Sequence, residues 1–335
     1  AGEEAREFSK QTGIPIATSV AAYNLIPEDY ELYIGVPGTY SRECTNRILS
    51  EADLLIYIGS STGGQVTHFW KIPEIGTKVI QVGIDPSDLG RNYPNEISLL
   101  GDARTTLQQI LKENLTKLKI DDWREKSINI VNEWKAELNK LRNSDSTPIR
   151  PERLMRELSE VIPEDSIVAS DTGHTAMWTV QNLWMNKKWN FIRCAGSLGW
   201  GFPAAIGAKC AFPDNNVFCL TGDGGLWYHF TELETAVRSD IPTITIVNNN
   251  NALNQEYDIF MNAYDGKPSN RWTEMWYFNK VSFAELANNM GAFGIRVTNP
   301  DDIKEAVKEA MKSNKPSIVE IDGDVNALAP TAWSK

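Results

Sequence analysis

The sequence predicts an α/β protein made of two doubly wound domains with mainly parallel sheets. Short apolar runs alternate with amphipathic stretches along the whole chain. The apolar runs lack the polar alternation of a sheet with one exposed face, which indicates parallel strands covered by helices on both sides. A length of 335 residues is also long for one domain, so we expect two.

The first half alternates strands and helices, and we predict that it forms a domain over residues 1–143. The predicted strands are residues 14–19, 53–60 and 77–85, and the predicted helices are residues 43–52, 103–114 and 121–143. Residues 144–150 are rich in Ser and Thr and contain a Pro, which is typical of a linker. The second domain is therefore expected over 151–335.

The second half repeats the pattern, beginning with a helix that has Pro151 in its first turn. The predicted helices are residues 151–162, 201–211, 226–239, 282–292 and 302–313, and the predicted strands are residues 166–170, 216–222, 243–249 and 317–322. Because each strand is followed by a helix or a long connection, a parallel sheet is expected here as well.

Composition limits the class of function. The net charge of −11 argues against nucleic acid or an anionic membrane as a partner, since both attract basic surfaces. We find neither an apolar run of about 18 residues nor a signal-peptide pattern. The four cysteines form no CxxC pair, which favours free thiols in a reducing cytoplasm. We therefore expect a cytoplasmic protein without nucleic-acid or membrane partners.

The most informative segment begins at the end of a predicted strand. Gly222-Asp223-Gly224-Gly225 closes the strand 216–222, and an Asn run at 248–251 closes the strand 243–249. Each motif alone is more often an ordinary turn or loop. Together, joined by a right-handed crossover, they place Asp223 and Asn250 at the carboxyl edge of one sheet, where open α/β sheets bind ligands.

The chemistry of this edge follows from its residue types. A carboxylate and an amide carbonyl are hard oxygen ligands that suit Mg²⁺ or Ca²⁺. Two side chains cannot fill the coordination shell of such an ion, and phosphate oxygens can complete it. Glycines allow a phosphate to approach the backbone N–H groups closely. The spacing therefore predicts a diphosphate bridged by a metal ion.

The segment 222–255 also resembles the signature of thiamine-diphosphate-dependent enzymes, and the acetolactate-synthase-like branch is the most similar. Residues 170–178, SDTGHTAMW, are similar to the family's diphosphate-contacting segment, and 196–225 to the stretch from the aminopyrimidine contact to the metal. Residues 79–107 resemble the family's central domain. The resemblance covers nearly the whole chain and implies a central domain followed by a diphosphate-binding domain.

The resemblance implies roles for individual residues. Asp223, the side chain of Asn250 and the backbone carbonyl of Ala252 would bind Mg²⁺. Leu198 would support the bent cofactor and Gly196 would contact its aminopyrimidine ring. The full implied set of cofactor-binding residues is His174, Thr175, Gly196, Ser197, Leu198, Gly222, Asp223, Gly224, Gly225 and Asn250. From the residues alone, His174 could equally be a capping or core histidine, and Leu198 plain core.

The chain departs from the family pattern at its start. The family's pyrimidine-binding domain, with the glutamate that activates the cofactor, is not in the sequence, and neither is the first strand of the central domain. We therefore expect an incomplete chain, inactive in isolation, whose partner is the missing domain within a homodimer or homotetramer. Removal of that partner would expose an apolar face around Leu198, Trp200 and Phe202.

The resemblance implies a carboligase or decarboxylase that acts on 2-keto acids. Ile259 stands near the position where true acetolactate synthases have a substrate-recognising tryptophan, so the substrate stays open. Some relatives bind FAD in the central domain, and residues 59–70 loosely resemble that site, which makes FAD an optional second cofactor. The alternative is a non-catalytic cofactor- or nucleotide-binding regulatory subunit of a split enzyme.

Overall fold

The computed structural model describes residues 1–113, 115–185 and 188–333, and it divides into two compact units. Unit 1 comprises Ala1–Glu137 with Thr331–Lys335, and unit 2 comprises Leu138–Pro330. All ladders between the named strands of the described residues are parallel, which confirms the predicted α/β class with mainly parallel sheets. No helix in the described part of the chain is long and apolar enough to cross a membrane.

The described part of unit 1 contains two small parallel sheets and four α-helices, the last of which extends past the boundary of the unit. Its strands are β1 (Ile16–Ala17), β2 (Tyr33–Gly35), β3 (Leu54–Ile58), β4 (Lys78–Gly83) and β5 (Ile97–Leu100), and its helices are α1 (Gly2–Thr12), α2 (Glu43–Glu51), α3 (Ala103–Ile110) and α4 (Asp121–Arg142). Strand β1 pairs with β2, and β3, β4 and β5 form the second sheet in that order. The boundary between the units falls within α4.

Unit 2 is built around one six-stranded parallel sheet. Its strands are β6 (Ile167–Ser170), β7 (Asn190–Arg193), β8 (Val217–Gly222), β9 (Ile244–Asn249), β10 (Phe293–Val297) and β11 (Ser317–Asp322). Its helices are α5 (Pro151–Val161), α6 (His174–Asn182), α7 (Gly201–Ala211), α8 (Asp223–His229), α9 (Glu232–Arg238), α10 (Glu256–Ala263), α11 (Phe283–Asn289) and α12 (Ile303–Ser313). The strand order is β10-β11-β9-β8-β6-β7, so β8 and β9 lie side by side near the centre.

Helices cover the central strands, which explains their apolar sequences. The first five residues of β8 are all buried, and Val217 and Cys219 pack in one core cluster with Phe202 of α7 and Leu233 of α9. Burial on both faces removes any advantage of polar alternation. A rigid sheet therefore supports the loops that follow β8 and β9.

The helix predicted over 226–239 is wrong in its start and its continuity. The helix α8 already begins at Asp223, directly after β8, and α9 begins only at Glu232. At the junction, Leu233 N bonds to Phe230 O at 3.0 Å and Glu234 N bonds to Thr231 O at 3.1 Å. These i→i−3 bonds replace the α-helical pattern for about one turn.

The prediction of an exposed apolar face around residues 198–202 is wrong for Phe202. Phe202 is only 1% exposed and belongs to the core of unit 2, whereas Leu198 and Trp200 are half-buried. Phe202 lies in the first turn of α7, and the packing of that helix on β6 and β8 turns it inward.

The predicted linker over 144–150 ends in ordered structure. Ile149 is fully buried in unit 2, and its N–H donates to Asp322 O at 2.8 Å while its carbonyl accepts from Asp324 N at 3.0 Å. The division at 137/138 and this pairing place the segment within unit 2. The domain bounds at 143 and 151 stay a prediction.

Candidate metal and diphosphate site

The candidate metal ligands follow two neighbouring parallel strands. Gly222, the last residue of β8, pairs in register with Asn248 of β9. Asp223 therefore comes directly after one strand and Asn250 directly after the other. Both residues lie at the carboxyl edge of the sheet, which is the placement that the sequence motif predicts.

A single backbone amide brings their side-chain oxygens together. Ala252 N donates to Asp223 Oδ2 at 2.9 Å and to Asn250 Oδ1 at 3.1 Å. The two oxygens therefore lie within the sum of two hydrogen-bond lengths of each other. The second carboxylate oxygen, Asp223 Oδ1, accepts from Gly224 N at 2.8 Å. This spacing allows both side chains to bind one ion.

The backbone of Ala252 faces the same point. The residues on either side of it bond to the segment 276–278 at 2.7 and 2.8 Å, so Ala252 occupies the non-hydrogen-bonded position of a short antiparallel bridge. At such a position the N–H and C=O both point away from the partner strand. The N–H reaches Asp223, so the carbonyl of Ala252 is expected to face the same edge and is a candidate third oxygen ligand.

Burial makes Asp223 an unusual carboxylate. It is 3% exposed, and desolvation raises its pKa to about 7, against the opposing effect of backbone N–H groups from Gly224 and Ala252. Within the described residues Asp223 forms no ion pair with Lys, Arg or His. A charged Asp223 would therefore be stabilised by a cation held among these oxygens.

The donor chemistry suits a hard cation. Among the described residues, no group of three or more His, Cys, Asp or Glu side chains is placed to hold a metal. The edge instead offers one carboxylate, one amide oxygen and one backbone carbonyl. This set fits Mg²⁺ or Ca²⁺ with further oxygens from a bound phosphate, and it does not fit Zn²⁺ or a redox metal.

Two glycines keep the start of α8 open to close approach. A Cβ on Gly224 would lie 2.4 Å from Leu253 Cδ2, and a Cβ on Gly225 would lie 2.2 Å from Asp171 Oδ2. Only glycine fits at either position without movement of a neighbour. The backbone N–H groups of this turn thus lie directly beside the candidate metal ligands.

The beginning of α6 and the loop before α7 form the opposite side of the site. Thr175 Oγ1 lies 3.4 Å from the position of a Cβ on Gly222. Gly173, with a φ of 74°, caps α6, and a Cβ there would lie 3.8 Å from Leu198 Cδ1. Three predicted site segments, around residues 174, 198 and 222, therefore meet. Gly196 and Ser197 lie in the exposed part of the loop, and Gly196 has open space beside its backbone.

His174 is poorly suited to carry charge. Burial lowers its pKa to about 4, so its imidazole is neutral at physiological pH. Its Nδ1 is buried without a hydrogen-bond partner in the structure. An unsatisfied buried ring nitrogen at the first residue of α6 is free to bind a ligand group.

Sequence reasoning missed Asp171, which holds the loops of the site together. Its carboxylate is 1% exposed and accepts bonds from Gly199 N at 3.0 and 3.1 Å and from Thr221 Oγ1 at 2.9 Å. Desolvation raises its pKa. Its place after a buried strand, like that of Asp223, is a signal that could have identified it.

The parallel sheet and its oxygen-lined edge are typical of α/β proteins that bind phosphorylated cofactors. Two family models match the chain: the thiamine pyrophosphate enzyme central domain over residues 1–110, and the thiamine pyrophosphate enzyme C-terminal TPP binding domain over residues 171–321. The chain belongs to the thiamine pyrophosphate enzyme family, and the resemblance read from the sequence is confirmed.

Relatives among curated proteins agree. A probable acetolactate synthase large subunit of Methanocaldococcus jannaschii is 32% identical over 329 residues, covering 96% of this chain and 55% of the relative. The acetolactate synthase large subunit of Haemophilus influenzae is 28% identical, with coverage of 96% and 56%. A putative thiamine pyrophosphate-containing protein of Bacillus subtilis is 26% identical, with coverage of 96% and 54%. The chain thus spans about half the length of these relatives.

Proposed function

We propose that this chain forms the cofactor-holding part of a carboligase or decarboxylase that uses thiamine diphosphate and Mg²⁺ to act on 2-keto acids. The observation that carries the proposal is the convergence of Asp223, Asn250 and Ala252 on one point at the carboxyl edge of β8 and β9. The family membership supplies the cofactor, and the oxygen donors supply the reason for a hard divalent ion.

Each part of the site has a role in the proposal. Asp223, Asn250 and the carbonyl of Ala252 would hold the ion, whose charge would help to bind the diphosphate. The N–H groups at the start of α8 would contribute to phosphate binding, as would His174 and Thr175. The loop before α7 would contact the remainder of the cofactor. The proposed diphosphate and ring contacts are His174, Thr175, Gly196, Ser197, Leu198, Gly222, Gly224 and Gly225.

Thiamine diphosphate, when bound, supplies a carbon nucleophile and an electron sink for breaking or making the bond next to a substrate carbonyl. The chain itself binds and orients. The buried carboxylate of Asp223 fixes the ion, while Leu198 offers an apolar surface next to Gly173. Neutral His174 can accept or donate a hydrogen bond without adding charge.

The substrate is proposed only as a class. Ile259 lies in α10, six residues beyond Leu253, and 54% of its surface is exposed. An aliphatic side chain there would favour a substrate of different shape from one stacked on a tryptophan. Because the relatives are about twice as long, turnover and assembly into a homodimer or homotetramer are proposed for the whole gene product. FAD binding at 59–70 stays a prediction that visible flavin absorbance would test.

The site does not favour the alternative of a non-catalytic regulatory subunit. The contacts proposed for His174 and Gly196 would serve cofactor binding in a regulatory subunit as well as in an enzyme, so they do not favour it. The matches to an enzyme family likewise do not favour it.

Calorimetric titration of the whole gene product with thiamine diphosphate and Mg²⁺ tests the proposal. Wild-type protein should bind only with the metal present. Asp223→Ala and Asn250→Ala should each weaken binding by about 100-fold or more, because the diphosphate loses its bridge. Asp214→Ala, which removes an exposed carboxylate from the turn before β8, is the matched control and should bind normally. Normal affinity in the Asp223 variant would refute the metal assignment.

A further inference from the structure

A buried acidic side chain lies in the same sheet as the proposed metal site. Glu320 is in the middle of β11 and is 1% exposed. Its nearest positive group is Arg296, whose Nε lies 3.9 Å from Oε1 and whose side chain is half in solvent. A buried carboxylate is costly unless it is hydrogen-bonded, so its partners should indicate its role.

Both oxygens of Glu320 accept hydrogen bonds, and they face different structures. Oε1 accepts from Asn249 Nδ2 at 2.8 Å. Oε2 accepts from Ser282 Oγ and from Ala284 N, each at 2.9 Å, at the start of α11. One oxygen is therefore directed to the end of β9, and the other to a helix.

Asn249 also bonds to the turn that carries the proposed metal ligands Asn250 and Ala252. Its Nδ2 also donates to Val281 O at 3.1 Å, and its Oδ1 accepts from Asn251 N at 3.2 Å. Asn251 has a φ of 58°, in the left-handed region that asparagine adopts more readily than most other non-glycine residues. The bond from Asn249 thus holds this left-handed residue between Asn250 and Ala252.

We propose that Glu320 is a positioning residue for the metal site, acting through Asn249 on the turn that presents Asn250 Oδ1 and the Ala252 carbonyl. This inference rests on the proposed function. Glu320 touches no proposed ligand of the ion. It fixes the amide orientation of Asn249, and that orientation fixes where the turn places its oxygens.

The two oxygens of Glu320 allow the positioning role to be separated from a structural one. In Glu320→Gln the carbonyl oxygen should stay on the side of the fixed Ala284 N–H, which leaves the new NH2 facing the NH2 group of Asn249. Asn249→Ala removes the same contact from the other partner. Ser282→Ala removes a bond from Oε2 and the cap of α11 but leaves the turn intact. Glu309→Gln makes the same chemical change as Glu320→Gln at an exposed position in α12.

The test is Mg²⁺ titration of the whole gene product at fixed thiamine diphosphate, followed by calorimetry, together with amide hydrogen exchange over 249–253 without ligands. Glu320→Gln and Asn249→Ala should each weaken Mg²⁺ affinity by about tenfold. The double variant should be no weaker than the worse single variant, because both act through one contact. Ser282→Ala should lower the Tm with unchanged Mg²⁺ affinity, and Glu309→Gln should change neither.

Amide hydrogen exchange at Asn251 and Ala252 should be faster than in the wild type in Glu320→Gln and Asn249→Ala, and in neither of the other variants. Wild-type Mg²⁺ affinity in Glu320→Gln, or equal weakening in Ser282→Ala, would overturn the positioning role. If wild-type protein binds no thiamine diphosphate, the proposed function fails. In that case the exchange data still test the positioning role of Glu320. Unchanged protection at Asn251 in Glu320→Gln contradicts that role, and faster exchange supports it.

Discussion

Two buried carboxylates, one in each unit, have opposite electrostatic surroundings. In unit 1, Glu28 is 5% exposed and accepts two bonds from Arg42, each 2.8 Å long, with Lys135 Nζ 3.0 Å away. Burial acts to raise the pKa of Glu28, but Arg42 and Lys135 outweigh it and hold that pKa below its ordinary value. In unit 2, Asp223 is equally buried, and its pKa is raised to about 7.

The difference shows what each charge is for. Arg42 is itself enclosed, donating to Tyr23 Oη at 2.9 Å and lying 5.2 Å from the ring centre of Trp134. Glu28 is therefore neutralised within the fold, as part of the core of unit 1. Among the described residues, Asp223 accepts hydrogen bonds from backbone N–H groups alone, which is an arrangement suited to a ligand cation.

The largest contrast is expected in stability. Glu28→Ala should lower the free energy of unfolding by about 3–5 kcal/mol, because it removes the carboxylate that accepts two hydrogen bonds from the buried Arg42. Asp223→Asn should change it by less than about 1 kcal/mol without ligand, since the amide oxygen keeps one acceptor and the desolvated charge is gone. Urea denaturation measures both.

The double variant Glu28→Ala/Arg42→Met is the control for that comparison. It removes both charges and should recover much of the loss. If Asp223→Asn proves as destabilising as Glu28→Ala, the two carboxylates are both structural and the contrast fails.

A smaller effect is expected from glycines in unit 2. Gly225→Ala should cost about 1–3 kcal/mol, since the new Cβ would lie 2.2 Å from Asp171 Oδ2 and that carboxylate is held by several bonds. Gly207→Ala in α7 should instead stabilise by about 0.5–1 kcal/mol, because no atom lies within 4 Å of its Cβ. Thermal denaturation of the pair gives the sign of each change. A neutral Gly225→Ala would mean that the site is looser than the structure indicates.

The smallest effect is expected from pH, since protonation neutralises Glu28 but leaves its side chain in place. Its folded-state pKa is depressed, so its stabilisation is complete above the unfolded-state value near 4.5 and is lost as pH falls through the folded-state pKa. Stability curves of wild type and Glu28→Gln should therefore converge as the pH is lowered below 4.5. Parallel curves down to the acid transition would show that folding does not lower the pKa of Glu28.

Several elements could be predicted because their sequences carry a strong local signal. The strands at 216–222 and 243–249 match β8 and β9 to within one residue, since both are continuous apolar runs. The helix α6 was not predicted. All of its residues after His174 are buried, so it lacks the one-sided apolar pattern that identifies a helix. The short strands β7 and β10 were not predicted, because neither sequence contains a distinct apolar run.

The sequence by itself determined the fold class, the family and the pair Asp223 and Asn250, because local periodicity and motif spacing are properties of neighbouring residues. The tertiary structure alone decided which carboxylates are paired. Glu28 lies 14 residues from Arg42, and Glu320 lies 71 residues from Asn249. Such contacts depend on how strands and helices pack, and the burial that sets each pKa exists only once the chain has folded.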